Sequence, residues 1–107
     1  MSPFNCIFTE SGGNQEWSAK FQKKRNQVGD WTITAVKILN RNLEPERLSN
    51  VEVYIENGAS TLCGTLPDPA TSGWHVIKCL NPGIENATKV RIIQRANSNL
   101  TFCGIKI

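Results

Sequence analysis

The sequence predicts an all-β domain, a β-sandwich or jelly roll of short antiparallel strands. Apolar and polar residues alternate with period two through several short segments. Gly, Pro and Asn punctuate those segments, and no stretch carries a sustained helical period. Four cysteines, Cys6, Cys63, Cys79 and Cys103, are scattered among the strand-like segments with no CxxC spacing. An even cysteine count in so short a chain points to disulfides and an oxidising compartment.

The segments follow in order. Trp17-Ser18-Ala19-Lys20-Phe21 alternates apolar and polar residues. Ile33, Ala35, Val36, Ile38 and Leu39 form a β-rich run that ends at Asn40-Arg41. Val51, Val53 and Ile55 alternate with Glu52, Tyr54 and Glu56, the pattern of a strand with one buried face, and Asn57-Gly58 marks the turn after it. Trp74, Val76 and Ile77 lead into Cys79. Val90, Ile92 and Ile93 make a further strand, and Leu100, Phe102 and Ile105 the last. Pro67, Pro69 and Pro82 fall in connections, where a missing N–H does least harm.

The 107 residues make one domain, 1–107, without repeat or linker. At this size crosslinks add appreciably to a single core. The formal charge of +3 is too small to argue for nucleic acid, and Lys23-Lys24-Arg25 reads as a solvated loop. No apolar run approaches the roughly 20 residues that span a bilayer, so no membrane insertion is expected. Met1-Ser2-Pro3 leads into no hydrophobic signal segment. Either the chain is a mature secreted, extracellular form with an added Met, or its cysteines are reduced in a cytosolic protein; the first is the expectation. Asn86-Ala87-Thr88 and Asn99-Leu100-Thr101 are glycosylation sequons that agree with secretion.

Catalytic chemistry is sparse. His75 is the only histidine and sits in a strand pattern, where a structural role outweighs that of a general base. There is no GxSxG elbow, no phosphate-cradling glycine loop, and no zinc or calcium loop motif. Glu44-Pro45-Glu46 reads as a solvated acidic pair. No enzyme activity, cofactor or metal is expected. The segment from Asn40 to Ser49 is more informative, because Arg41 and Arg47 flank a short loop after a strand. Forked guanidinium donors suit sugar hydroxyls and carboxylates. Two readings stand: the arginines converge on a ligand, or they tie the loop to carbonyls and to Glu44 or Glu46.

Taken in order, these segments resemble the F-type lectin (fucolectin) domain, a jelly roll of the galactose-binding, discoidin-like class. Cys6-Ile7-Phe8-Thr9-Glu10 resembles the family's Cys-x-His-Thr-Glu segment, and Glu16-Trp17-Ser18-Ala19-Lys20-Phe21 its Trp-Trp-x-Val-Asp-Leu strand. Trp31 to Arg41 resembles the strand ending in Asn-Arg. Cys63-Gly64 through Trp74 to Cys79 resembles a Cys-Gly…Cys hairpin, and Leu100-Thr101-Phe102-Cys103 the closing Leu-x-x-Cys strand. The resemblance implies disulfides Cys6–Cys103 and Cys63–Cys79. The first would tie the chain ends. The second would close a loop of about 16 residues, worth about 3 kcal/mol in the entropy model.

The resemblance also implies a fucose site of one histidine, two arginines and an aspartate beside a vicinal disulfide. The arginine positions fall on Arg41 and Arg47, the histidine on Phe8 and the aspartate near Leu43, while Glu44-Pro45 replaces the cysteine pair. Phe8 lacks the hydrogen-bonding capacity of histidine, so the standard site is incomplete. Phe8 or Trp17 remains as an apolar wall for a sugar face. The family's calcium ligands precede the point matching Cys6, and Gly104 stands where an acidic residue usually follows the last cysteine. Calcium is therefore not expected. The absent N-terminal unit implies an open sheet edge, available to a protein partner or a second copy. Two functions follow: a non-enzymatic, calcium-independent glycan-binding module, or a structural or protein-interaction module that has kept the fold and lost the sugar.

Overall fold

Alternation in the sequence becomes alternation in burial. In Glu52–Glu56, Val53 and Ile55 are fully buried while Glu52, Tyr54 and Glu56 reach the other face. The same rule operates through a computed structural model that describes residues 7–8, 15–21, 31–42, 44–79, 83–96 and 100–107. Its strands, in chain order, are β1 (Ile7–Phe8), β2 (Gln15–Lys20), β3 (Trp31–Ile33), β4 (Ala35–Asn40), β5 (Glu52–Glu56), β6 (Ser60–Thr65), β7 (Gly73–Lys78), β8 (Ile84–Ala87), β9 (Lys89–Gln94), β10 (Thr101–Phe102) and β11 (Gly104–Lys106). One 3₁₀ turn, Pro45–Leu48, is the only helical element among the described residues.

The architecture is all-β and antiparallel. A four-stranded sheet runs β2-β9-β5-β6 and a three-stranded sheet β11-β4-β7. The pairs β1-β10 and β3-β8 complete it. Val53, Ile55, Val90 and Ile92 from the larger sheet and Val36, Ile38 and Ile77 from the smaller one join a single core with Ile33, Leu48, Leu66, Leu100 and Phe102. Burying such side chains supplies the main driving force, about 1.5–3 kcal/mol for each large aliphatic group. Asn57-Gly58 lies in the β5–β6 turn as expected, with Gly58 at φ 95°.

The structure departs from the sequence reading at four places. The run from Ile33 to Leu39 is two strands, because Thr34 interrupts it. β3 pairs with β8, whereas β4 pairs with β7 and β11. The closing segment is also two strands, and at Cys103 the chain leaves β10 for the three-stranded sheet. β8 escaped the pattern because its burial runs buried-exposed-exposed-buried, and its register against β3 shifts. Asn86 there takes φ 56°, a left-handed conformation that Asn tolerates better than most residues.

The Cys63-to-Cys79 segment is the fourth departure. β6 and β7 belong to different sheets and form no ladder with each other. Cys63 and Cys79 are disulfide-bonded, so this crosslink joins the end strands of two different sheets rather than closing a hairpin. β6 has a register shift here: Gly64 faces Val53 and Leu62 faces Tyr54, leaving Cys63 as the extra residue of a bulge. Next to it, a Cβ on Gly64 would stand 2.9 Å from Ile77 Cγ2 across the sandwich. Cys103 is also disulfide-bonded. Cys6 lies outside the described residues.

Two outcomes follow. Cys63→Ser/Cys79→Ser should lose about 3 kcal/mol in urea unfolding, since a loop of this length is released in the denatured chain. A loss under about 1 kcal/mol would show that the crosslink is not what joins the sheets. Gly64→Ala should cost about 1–3 kcal/mol by overpacking against Ile77, whereas Gly64→Ala combined with Ile77→Val should recover part of it.

Candidate functional site

Among the described residues, one end of the sandwich is built from three connections: residues 41–42 with 44–50, 66–72 and 94–96. Their backbones are held by buried amides. Asn40, the last residue of β4, is 3% exposed, and its Nδ2 donates to Pro45 O at 2.8 Å and to Thr71 O at 2.9 Å. Gln94, the last residue of β9, donates from Nε2 to Arg47 O and accepts from Ala96 N at 3.0 Å. Ser49 Oγ accepts from Ala70 N at 2.9 Å, and Asn50 Nδ2 donates to Asp68 at 2.9 Å. Leu48, fully buried, anchors the 3₁₀ turn in the core. Unpaired amide donors would be costly to bury, and the donors are used, although Asn40 Oδ1 is buried without a partner. Here they fix loops that lack a ladder of their own.

This frame sets the two arginines. Glu44 takes a left-handed conformation, φ 51° and ψ 54°, immediately before the turn. Its Oε2 lies 2.7 Å from Arg47 Nη2 and 3.4 Å from Arg41 Nη2. The arginines thus converge, and the group they converge on is Glu44. Arg41 is 13% exposed, Arg47 33% and Glu44 46%. The arrangement is a carboxylate acceptor between two forked donors, presented at the surface by a pinned loop.

The other residues singled out in the sequence are distributed as follows. Phe8 pairs with Thr101 in the β1–β10 ladder, and β10 runs beside the 3₁₀ turn and β4. Trp17 stands edge-on to Phe102, ring centroids 5.2 Å apart, and packs against the core. Its partly buried ring thus leans on the core, and its strand partner Ile92 stands two residues before Gln94. His75 Nε2 donates to Thr71 O at 2.7 Å, which fixes its tautomer and ties β7 to the same connection that Asn40 holds. Asn86 is exposed on β8. Leu43 and Asn99 lie outside the described residues. Among the described residues no group of three or more His, Cys, Asp or Glu side chains is placed to hold a metal ion.

Two features had no counterpart in the sequence reading. The first is an ion-pair network on the outer face of the four-stranded sheet. Arg91 reaches Glu16 at 2.7 Å, Glu56 at 3.2 Å and Ser60 Oγ at 3.0 Å, and its guanidinium lies 5.9 Å from the Tyr54 ring centre. Arg95 meets Glu52 at 2.7 Å, and Tyr54 OH donates to the same oxygen at 2.8 Å. The hydrogen bond from Arg91 holds the Glu16 carboxyl below its ordinary value, and that from Arg95 does the same for Glu52. The second is a cavity of about 350 Å³ lined by Lys20, Phe21, Trp31 and Ile107, where the Phe21 and Trp31 rings sit 6.3 Å apart. These groups meet only through strand pairing, so no local motif announces them.

The network carries a pH signature. Glu16 and Glu52 titrate lower in the fold than their ordinary 4.5. Their stabilisation is complete above that value and lost as pH falls through the depressed folded one. Arg91 stays charged throughout. The gap in urea stability between wild type and Arg91→Met should be constant from about pH 8 to 5 and narrow below about 4.5. A gap that widens on acidification would contradict the assignment.

With the geometry in place, comparison with known proteins adds no relative: no family model matches the chain, and no curated protein matches it.

Proposed function

We propose that this chain is a non-enzymatic carbohydrate-binding module, acting outside the cell without calcium, with residues 41–50 as its binding loop. One observation carries the reading: Arg41 and Arg47 converge on Glu44 at a rigid end of the sandwich. A sugar hydroxyl both donates and accepts hydrogen bonds. Neighbouring hydroxyls on one pyranose edge can give a proton to Glu44 and accept one from Arg47. Arg41, largely buried, positions the Glu44 carboxylate for that role. Glu44 then supplies the carboxylate that the resemblance to F-type lectins calls for near Leu43. The disulfide between Cys63 and Cys79 is compatible with an oxidising extracellular setting.

A second reading is favoured by one specific feature. Among the described residues β6 is the edge strand of the four-stranded sheet, and it exposes Leu62, 46% accessible. A fold kept for protein contact would use such an edge, through a partner or a second copy.

A glycan array on the oxidised protein, with and without chelator, tests the first reading. Binding should survive chelation, and Arg47→Ala and Glu44→Gln should each weaken it by about tenfold or more. Both variants should keep the wild-type unfolding midpoint. A blank array, or binding untouched by both substitutions, would overturn the assignment. Concentration-dependent association in sedimentation, abolished by Leu62→Lys, would then support the second.

A further inference from the structure

The outer faces of the two sheets are charged differently. On the four-stranded sheet each arginine meets a glutamate. On the three-stranded sheet, Val36, Ile38 and Asn40 of β4 are buried, so Ala35, Lys37 and Leu39 point outward. Register assigns their neighbours to the same face. Lys78 lies opposite Ala35, Val76 and Lys106 flank Lys37, and Trp74 and Gly104 flank Leu39. The face thus carries Lys37, Lys78 and Lys106, all exposed, and no carboxylate among the described residues. No ion pair among the described residues involves any of the three lysines.

An aromatic platform completes the face. A Cβ on Gly104 would stand 3.3 Å from both Trp74 Cη2 and Leu39 Cβ. The missing side chain lets the indole extend from the edge strand β7 across Leu39 to β11. Trp74 nevertheless keeps 42% of its surface accessible, Val76 keeps 52%, and the Lys106 ammonium lies 5.2 Å from the indole ring centre. Lys37 and Lys106 are directly opposed, about 5 Å apart at Cβ, and Lys78 stands on the adjacent diagonal at about 7–8 Å. The positive charges therefore cross the strands in a line beside an accessible indole.

We propose that this face binds an acidic polysaccharide, a sulfated or uronate-bearing chain. One sugar ring packs on the exposed part of the Trp74 indole beside the Lys106 ammonium, and the sulfate or carboxylate groups of the chain pair with Lys106, Lys37 and Lys78. Charge complementarity selects an anion, and the accessible indole selects a ligand with a flat ring face. Trp74 is the one aromatic group on this face among the described residues, which favours a saccharide over single-stranded nucleic acid, held by a succession of stacked bases. The site is separate from the 41–50 loop and goes beyond the function proposed above.

Heparin of defined length is the probe, read by titration calorimetry and by salt elution from a heparin column. Lys37→Gln/Lys78→Gln/Lys106→Gln should weaken binding about tenfold and elute at lower salt. Lys20→Gln/Lys89→Gln/Arg95→Gln removes the same net charge from the four-stranded sheet and the end of β9 and should stay within about twofold of wild type. Trp74→Ala should weaken binding about fivefold and Trp74→Phe less. Arg47→Ala should leave heparin binding unchanged, so failure of the loop reading would not imitate failure of this one. Equal loss in both triple variants would overturn the proposal in favour of net charge alone. Tighter binding of oligo-dT than of heparin would overturn it in favour of nucleic acid, and no measurable heparin binding would end it.

Discussion

Two sheets can share a core only if their facing surfaces approach closely, and in this chain Cys63-Gly64 makes one such close approach. The bulge in β6 turns Cys63 out of the regular ladder, and the disulfide to Cys79 ties that strand to the end of β7 in the other sheet. Gly64 contributes by having no Cβ where Ile77 Cγ2 comes to rest. Packing interiors tolerate little extra volume, so a larger residue here would push the sheets apart along their whole contact. Everything built at the edges of the sandwich depends on that spacing, because loops and outer faces inherit their geometry from the strands beneath them.

The loop end depends on it through two amides. Asn40 and Gln94 terminate strands in different sheets, and both reach the segment carrying Arg47. Their hydrogen bonds fix the loop only while the two strand ends stay in register across the core. The Arg41–Glu44–Arg47 cluster then needs little further ordering to present its acceptor and donors together. Surface ion pairs on their own contribute little to stability. The clusters here are better understood as devices that set the direction and charge of exposed groups.

The outer faces illustrate the same division of labour. On one sheet, cross-strand pairing brings glutamates of β2 and β5 to arginines of β9 and its extension, leaving a neutralised surface. On the other, register places lysines beside lysines and an indole beside a glycine. Like charges directly opposed are destabilising. Tolerating Lys37 against Lys106 is thus a cost to the fold that an anionic ligand would relieve.

Period-two alternation is a local property, and by itself the sequence determined the all-β class, the strands around Trp17, Val53, Trp74 and Val90, the turn at Asn57-Gly58, and the loop bearing Arg41 and Arg47. It missed β8, where a bulge breaks the alternation, and the breaks at Thr34 and Cys103, where a continuous apolar pattern changes sheets. Nothing within those segments states which strand each will pair with. Tertiary structure alone decided that Cys63 and Cys79 join different sheets, that Glu44 stands between the two arginines, that Trp17 leans on the core, and that three lysines from three strands share one face. Each of these depends on pairing between residues distant in the chain. That pairing is set by how the buried faces of all the strands fit together, not by any one segment.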